Sequence, residues 1–396
     1  MTDIAVINYS PHLDYPAMFP EVAGRLQVFS HHELKNTEGL GRYEYVENCE
    51  SVPYVELMIR RAAAEKPLSH IITDNEYDLE RAARIREDLG IPGQSSTSAE
   101  SFRDKVAMKE VASRAVPTPR FTRLETIMDL TGITAEWGYP VVVKPVKQGG
   151  SRDISVLRDE NDLVGFSRRP WRDDLMVEEF VEGHMYHVDA VLAPGYRLVA
   201  CSRYLRSCLG VFSGQNNGSL QLHPRDELAV RLEAFLDRLL DAFDTPEVSA
   251  YHLEVFLTPE DDLVLCEIAS RVGGDRIPAL TRATYGVDLH TAVLRQSCSL
   301  PVDPPPASPP SAVHGSVSIL PQGRPVRAPA EPPPFDWVQE YVVNEQLELG
   351  AVTKHSASHL CFVIVRGADT AEVEQRLLQA EAWLLDNLRE VPGEQT

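Results

Sequence analysis

Two apolar runs separated by an acidic turn, at 251–257 and 263–268, constrain this chain more than any other stretch. Both are rich in leucine, β-branched and aromatic residues, and 258–262 supplies a proline and carboxylates, so the pattern predicts a β-hairpin. Each arm carries one carboxylate, Glu254 or Glu267, inside a run that otherwise reads as buried. A buried carboxylate is costly unless it is paired or holds a cation. Two uses fit the sequence: an ion pair with Arg271, four residues after Glu267, or a divalent-metal site. The adjacent Gly273 and Gly274 favour the second, because glycine lets the backbone approach a ligand closely.

The chain around this hairpin has 396 residues, enough for two or three domains, since a single core stops growing near 250 to 300 residues. Its formal charge of -21 argues against nucleic acid or an anionic membrane as partner, because both require a basic face. Six cysteines, at 49, 201, 208, 266, 298 and 361, show no metal-binding spacing and read as buried free thiols. The chain enters a strand at once, DIAVINYS, and holds no apolar run of membrane-spanning length. The expectation is a soluble, cytoplasmic protein.

Taken in order, 3–9, 43–46 and 70–73 read as strands, with helical spacing at 53–65 and 80–89 between and after them. That alternation predicts a small doubly wound parallel sheet with ligands at the carboxyl ends of its strands, where 8–10 and 74–76 fall. Glu76 is a candidate to face a substrate, although an exposed loop carboxylate is usually just solvated. SFRDKVAMKEVAS, 101–113, reads as one helix carrying Lys105 and Lys109 a turn apart, for which a solvated face is the ordinary expectation. A helix over 124–131 and a strand over 141–144 follow.

After the strand lysine Lys144 comes KQGGSR, 147–152, before the chain returns to a strand at 154–157. Gly149, Gly150 and Ser151 then form a flap whose backbone N–H groups, with Lys147 and Arg152, suit phosphate oxygens. The order is not that of a Walker loop, and for the stretch taken alone an ordinary hairpin with exposed basic residues is the default expectation. LMVEEFV, 175–181, is another strand, followed by strands over 186–192 and 198–204. The polar stretch 213–219 reads as a mobile connection or a lid. An amphipathic helix over 228–243, helical spacing over 277–299, a Pro-rich strap over 301–310, strands over 313–320, 337–343 and 360–365, and a closing helix over 370–388 complete the chain.

The ordered set of a helix lysine, a strand lysine with a glycine loop, the strand edge EEFV and the EIASR segment resembles the ATP-grasp superfamily. Within it the chain looks most like the carboxylate–amine ligases. The resemblance covers nearly the whole chain and implies an α/β fold, α+β in part. It implies an N-terminal doubly wound parallel-sheet domain over 1–100 and an ATP-grasp domain over 101–300, with 117–175 as its lid. A C-terminal α+β unit over 301–396 would follow the Pro-rich linker. It further implies ATP and Mg2+ as cofactors. Lys105 and Lys144 match the lysines on the nucleotide phosphates, Gln148, Gly149, Gly150, Ser151 and Arg152 the loop that folds over them, and Glu178, Glu179 and Val181 the hinge that reads adenine. Glu254 and Glu267 match the magnesium ligands, Arg271 the arginine that steadies the acyl phosphate or substrate carboxylate, and Arg203 a further positive charge. His252 is expected to be a packed or supporting histidine.

Two positions depart from the pattern. Met185 stands where a ribose-binding Glu is usual, leaving His184, His187 or Asp189 as substitutes. Ala269 replaces the Asn of E-x-N-x-R, leaving Ser270 or water to complete a metal site. The activity implied is activation of a carboxylate, of an amino acid above all, as an acyl phosphate and its coupling to an amine. A carrier-protein thiol is the alternative acceptor, bicarbonate the alternative acid, and nucleotide binding without turnover the non-catalytic alternative. A homodimer is the default assembly.

Overall fold

The computed structural model describes residues 2–391 except 322, 346, 348 and 352–358, and of 211–213 the backbone only. At the N-terminus β1 (Asp3–Asn8), β2 (Leu26–Ser30), β3 (Arg42–Tyr45) and β4 (Leu68–Thr73) form a sheet in the order β3-β2-β1-β4. Every pairing is parallel. All six residues of β1 are buried, as a strand with both faces covered requires. Ile4 and Val6 pack with Tyr15, Phe19 and Leu294 on one face, while Ala5 and Ile7 meet Val55, Ile59 and Ile85 of two helices on the other. The expected doubly wound sheet is therefore present, with one addition: β2, for which no element is expected from the sequence. Asp74 ties the carboxyl ends of β1 and β4 together by accepting hydrogen bonds from the backbone N–H of Tyr9 (2.7 Å) and Ser10 (2.9 Å).

The single helix expected over 101–113 is two, Ser96–Ser101 and Lys105–Ala112. Asp104 causes the break: its carboxylate caps the second helix by accepting from Val106 and Ala107 N–H. A second sheet follows, from β5 (Phe121–Leu124), β6 (Val141–Pro145), β7 (Ser155–Leu157) and β8 (Leu175–Glu179), in the order β5-β8-β6-β7 and antiparallel throughout. The helix expected to begin at 124 instead spans Ile127–Trp137, because Thr126 and Asp129 form a reciprocal cap that fixes its start.

Eight strands make the largest sheet, from β9 (His184–Ala193), β10 (Tyr196–Tyr204), β11 (Asn217–Gln221), β12 (Ser249–Leu257), β13 (Leu263–Ala269) and β14 (Val313–Ile319), with β16 (Val338–Val343) and β17 (Cys361–Gly367); the short β15 (Val326–Arg327) pairs separately with β18 (Arg389–Glu390). The order is β13-β12-β9-β10-β11-β14-β17-β16. Helix Glu227–Leu240 buries Leu232, Phe235, Leu236 and Leu239 against the β9–β12 end, and helix Thr370–Asp386 buries Val373, Leu377 and Leu384 against the β14–β17 end. The polar stretch 213–219, expected to be a mobile connection or a lid, instead runs into β11 at Asn217, which joins these two halves between β10 and β14. Asn216 anchors it: its amide donates to Glu381 at 2.7 Å and accepts from Leu320 N–H at 3.0 Å. The C-terminal strands thus continue the central sheet. No helix among the described residues is long and apolar enough to cross a membrane.

Candidate active site

The hairpin predicted over 251–268 is β12 and β13, antiparallel, with Glu254 directly opposite Glu267 across the ladder. Like charges in directly opposed positions repel. They are held by cations and donors gathered from elsewhere: Lys105 Nζ lies 3.1 Å from Glu267, and Tyr204 Oη donates to Glu254 at 2.8 Å. Burial alone would push Glu267 up, but Lys105, Lys144 and Arg271 together hold it down at about 2.

Two clefts meet at this pair. The larger, about 1410 Å³, is lined by Lys105, Lys144, Gln148, Gly149, Gly150, Ser151, Glu178, Glu179 and Val181, with Val142, Ile154, Met185 and Phe256 as apolar wall. The smaller, about 860 Å³, carries Arg271, His252, Tyr204, Asn217 and Asp275, and both contain Glu254, Glu267, Gly150 and Ser151. The structure therefore gathers every sequence-predicted site residue except Arg203 around one junction. Arg203 follows the alternation of β10: Tyr204 faces the site, so Arg203 faces away and pairs with Glu374 at 2.6 Å.

Lys109, expected on a solvated face, is fully buried. Its Nζ donates to Cys266 O at 2.6 Å and lies 3.3 Å from Glu178, whose other oxygen is 2.5 Å from Lys144. Burial, and then Lys144 as a like-charged neighbour, lower Lys109, whereas burial at Lys144 is outweighed by Glu178, Cys266 and Glu267 together, which raise it. The Glu178 carboxylate, expected to help read adenine, is thus clamped between two lysines. Glu179 is engaged at the rim by Arg120 at 3.0 Å.

Arg271 does not pair with Glu267 as the ion-pair alternative supposed. It donates from Nε and one terminal nitrogen to Glu76 at 3.2 Å, and Arg103 lies 3.4 Å from the same oxygen. Glu76, at the carboxyl end of the N-terminal sheet, is consequently buried against the site; burial would raise its pKa, but Arg271, Arg103 and Lys105 lower it. The glycine loop rests on it: a Cβ on Gly149 would lie 2.2 Å from Glu76 Oε1. Lys105 donates to Gln148 O at 2.7 Å, Lys147 pairs with Glu80 at 2.7 Å, and Arg152 bonds the Tyr77 hydroxyl, so the loop is folded down onto the N-terminal sheet.

Behind Glu254 lies a buried network absent from the sequence expectations. Asp189 accepts from His187 Nδ1 at 2.6 Å and from His252 Nδ1 at 2.8 Å; His187 Nε2 meets Ser219 Oγ at 2.5 Å, and His252 Nε2 lies 3.6 Å from Glu254. Burial would lower His252, but Asp189 and Glu254 hold it up at about 9, so it is an imidazolium at neutral pH. His252 thus supports Glu254, while His187 and Asp189 are committed here and are not among the residues of the larger cleft, where Met185 and Glu182 are. Ser270 turns away from the glutamates, its hydroxyl accepting from Gln94 at 3.0 Å, and leaves Ala269 without a substitute on that side. The signal for the network was legible as a period of two, His187-x-Asp189 and His252-x-Glu254 each sharing a strand face.

No protein-family model matches the chain. An L-arginine-specific L-amino acid ligase of Bacillus subtilis is 24% identical over 241 residues, 58% of each protein. A D-alanine–D-alanine ligase of Pseudomonas entomophila is 32% identical over 108 residues, 25% of this chain and 33% of that one. The chain thus spans less than two thirds of these relatives. Among solved structures, an L-amino acid ligase from Bacillus licheniformis superposes with a TM-score of 0.77 at 18% identity, over 100% of this chain and 99% of its own. A carboxyaminoimidazole ribonucleotide synthase from Aspergillus clavatus complexed with ATP gives 0.71 at 16% identity, over 96% and 99%. The chain has the ATP-grasp fold of these structures, and part of its sequence is similar to these ligases.

Proposed function

We propose that the protein is an ATP-dependent ligase that activates the carboxylate of an amino acid as an acyl phosphate and couples it to an amine, releasing ADP and phosphate. The observation that carries this reading is the opposed pair Glu254 and Glu267 at the junction of two clefts, one lined by lysines and a glycine loop, the other by Arg271. ATP fits the first and the acid the second, and the names of the relatives agree.

Two facing carboxylates with an acid-depressed partner suit a hard divalent cation, so Glu254 and Glu267 are the residues that would hold Mg2+. Bound there, Mg2+ supplies charge neutralisation for the phosphates. Lys105, now on Glu267, moves onto the nucleotide, and Lys144 stays oriented by Glu178. Arg271, braced by Glu76, holds the acid so that its oxygen attacks the terminal phosphorus in line; positioning and charge are most of what such a transfer demands. The glycine loop excludes water from the acyl phosphate until the amine arrives.

The test is ADP release with Mg2+ and ATP across amino acids singly and in pairs, with a bicarbonate arm, repeated with Glu267→Gln. ADP release that requires an amino-acid pair supports the reading. Release dependent on bicarbonate alone would replace it with a carboxylase, and no release above the Glu267→Gln background would leave a nucleotide-binding protein without turnover.

A further inference from the structure

One wall of the smaller cleft is built by Asn217, Asp275, Arg276, Ser316 and Ser318, none of which the phosphoryl step uses. Ser316 and Ser318 come from β14 and Asn217 from β11, so the C-terminal part of the sheet contributes directly to this wall. Asp275 follows Gly274 in a left-handed conformation, φ 53°. Its Oδ2 accepts from Asn217 Nδ2 at 2.7 Å, whereas its Oδ1 is buried and has no hydrogen-bond donor. The neighbouring Arg276 Nε stands 3.6 Å away and is itself buried without an acceptor, its guanidinium lying over the Phe362 ring at 4.2 Å.

The two attract each other as an ion pair at 3.6 Å but share no hydrogen bond, and buried polar groups are normally hydrogen-bonded. A ligand that brings a donor to one and an acceptor to the other would satisfy both. A divalent cation fits poorly, because one carboxylate beside an arginine is a weak, repelling site for it. An adjacent ammonium and carboxylate, the zwitterionic head of an α-amino acid, match the pair in sign, spacing and order.

Resting on the ligase reading above, we infer that Asp275 and Arg276 form the acceptor site, binding a second α-amino acid by its ammonium and carboxylate, and that Asp275 takes the proton that frees the amine. The amine nitrogen then forms the bond to the acyl carbon with its lone pair, and the acyl carbon–oxygen bond breaks with its electrons leaving on phosphate. The second nitrogen proton departs with that phosphate as the amide forms. Burial, only partly offset by Arg276 and Asn217, pushes Asp275 up to about 6, in keeping with a group that accepts a proton near neutrality.

The experiment uses the full chain with ATP, Mg2+ and the acid identified by ADP release, and two nucleophiles: the amino-acid acceptor and hydroxylamine, which is uncharged at neutral pH and needs no proton acceptor. For Asp275→Asn we expect hydroxamate formation within about twofold of wild type and amide formation lowered roughly 100-fold or more. Arg276→Met should raise KM for the free amino-acid acceptor about tenfold and leave KM for its carboxamide unchanged. Amide formation retained by Asp275→Asn overturns the inference, and so does an equal fall of both products, the mark of a merely structural residue. If wild type forms no hydroxamate, the ligase reading itself fails and takes this inference with it.

Discussion

Replacing Lys109 with methionine tests the clamp on Glu178. The ammonium lies 3.3 Å from Glu178 Oε2, an oxygen with no hydrogen-bond donor, and it also serves Cys266 O and Leu265 O at 2.6 and 3.5 Å. At that separation the pair attracts by about 5 kcal/mol if the effective dielectric is about 20. Methionine recovers part of this, because Lys109 is fully buried and its desolvation cost disappears. What remains is the low end of the penalty for breaking a buried pair, about 3 kcal/mol, because Glu178 keeps Lys144 as its other partner. For a unit of this size that is a fall of roughly 6 to 12 °C in the melting temperature of the central region. Differential scanning calorimetry of Lys109→Met, Glu178→Gln and the double variant measures it, and the double variant should lose less than the two single losses added together. Lys144 then has Glu178 to itself, so affinity for ATP should also weaken. A melting temperature within about 2 °C of wild type for Lys109→Met would refute the reasoning and imply that Lys109 is neutral in the fold.

Other consequences follow from named contacts. Asp275, held at about 6 against an ordinary 3.8, binds its proton more tightly folded than unfolded, so its contribution to stability falls as pH rises through that window. Asp275→Asn should therefore stabilise the fold by up to roughly 3 kcal/mol at pH 7.5 and by little at pH 4, read by urea denaturation. His252 has the same sign in a higher window: held at about 9 in the fold, it contributes stability fully below about 6.5, and that stability is lost as pH rises towards 9. Denaturation midpoints of His252→Asn should be flatter than those of wild type over that range. Gly273→Ala would place a methyl 2.4 Å from Asp189 Oδ1 and 2.9 Å from Ile277, and should cost about 1 to 3 kcal/mol. Gly274→Ala, with nothing within 4 Å, should change stability by less than about 0.5 kcal/mol.

The hairpin was legible because its apolar runs are long and its turn acidic, and the opposition of its two glutamates follows from pairing across that turn. The strand β2 was not, since Leu26–Ser30 has five residues and no flanking period to separate it from loop. Lys109 was misjudged for a reason specific to charge. A helix lysine is solvated by default, and only the arrival of β8 with Glu178 and of β13 with the Cys266 carbonyl, 157 residues away, makes its burial tolerable. Buried ion pairs are long-range facts, and spacing along one helix does not contain them.

The arginines make the same point with a functional consequence. By sequence, those at 203, 206, 271 and 276 form one basic group suited to a carboxylate substrate. The structure divides them. Arg203 and Arg206 are bound by Glu374 and Glu381 on the closing helix, fastening it to the central sheet. Arg271 is shared with Glu76 from the first domain, a partner that restrains its direction while leaving a terminal nitrogen to donate to its own chain at Val272 O. Arg276 alone has a buried nitrogen without an acceptor. In the proposed ligase, substrate recognition by charge therefore falls to the two arginines that follow Glu267 within nine residues, and the C-terminal strands share the lining of that cleft through Ser316 and Ser318.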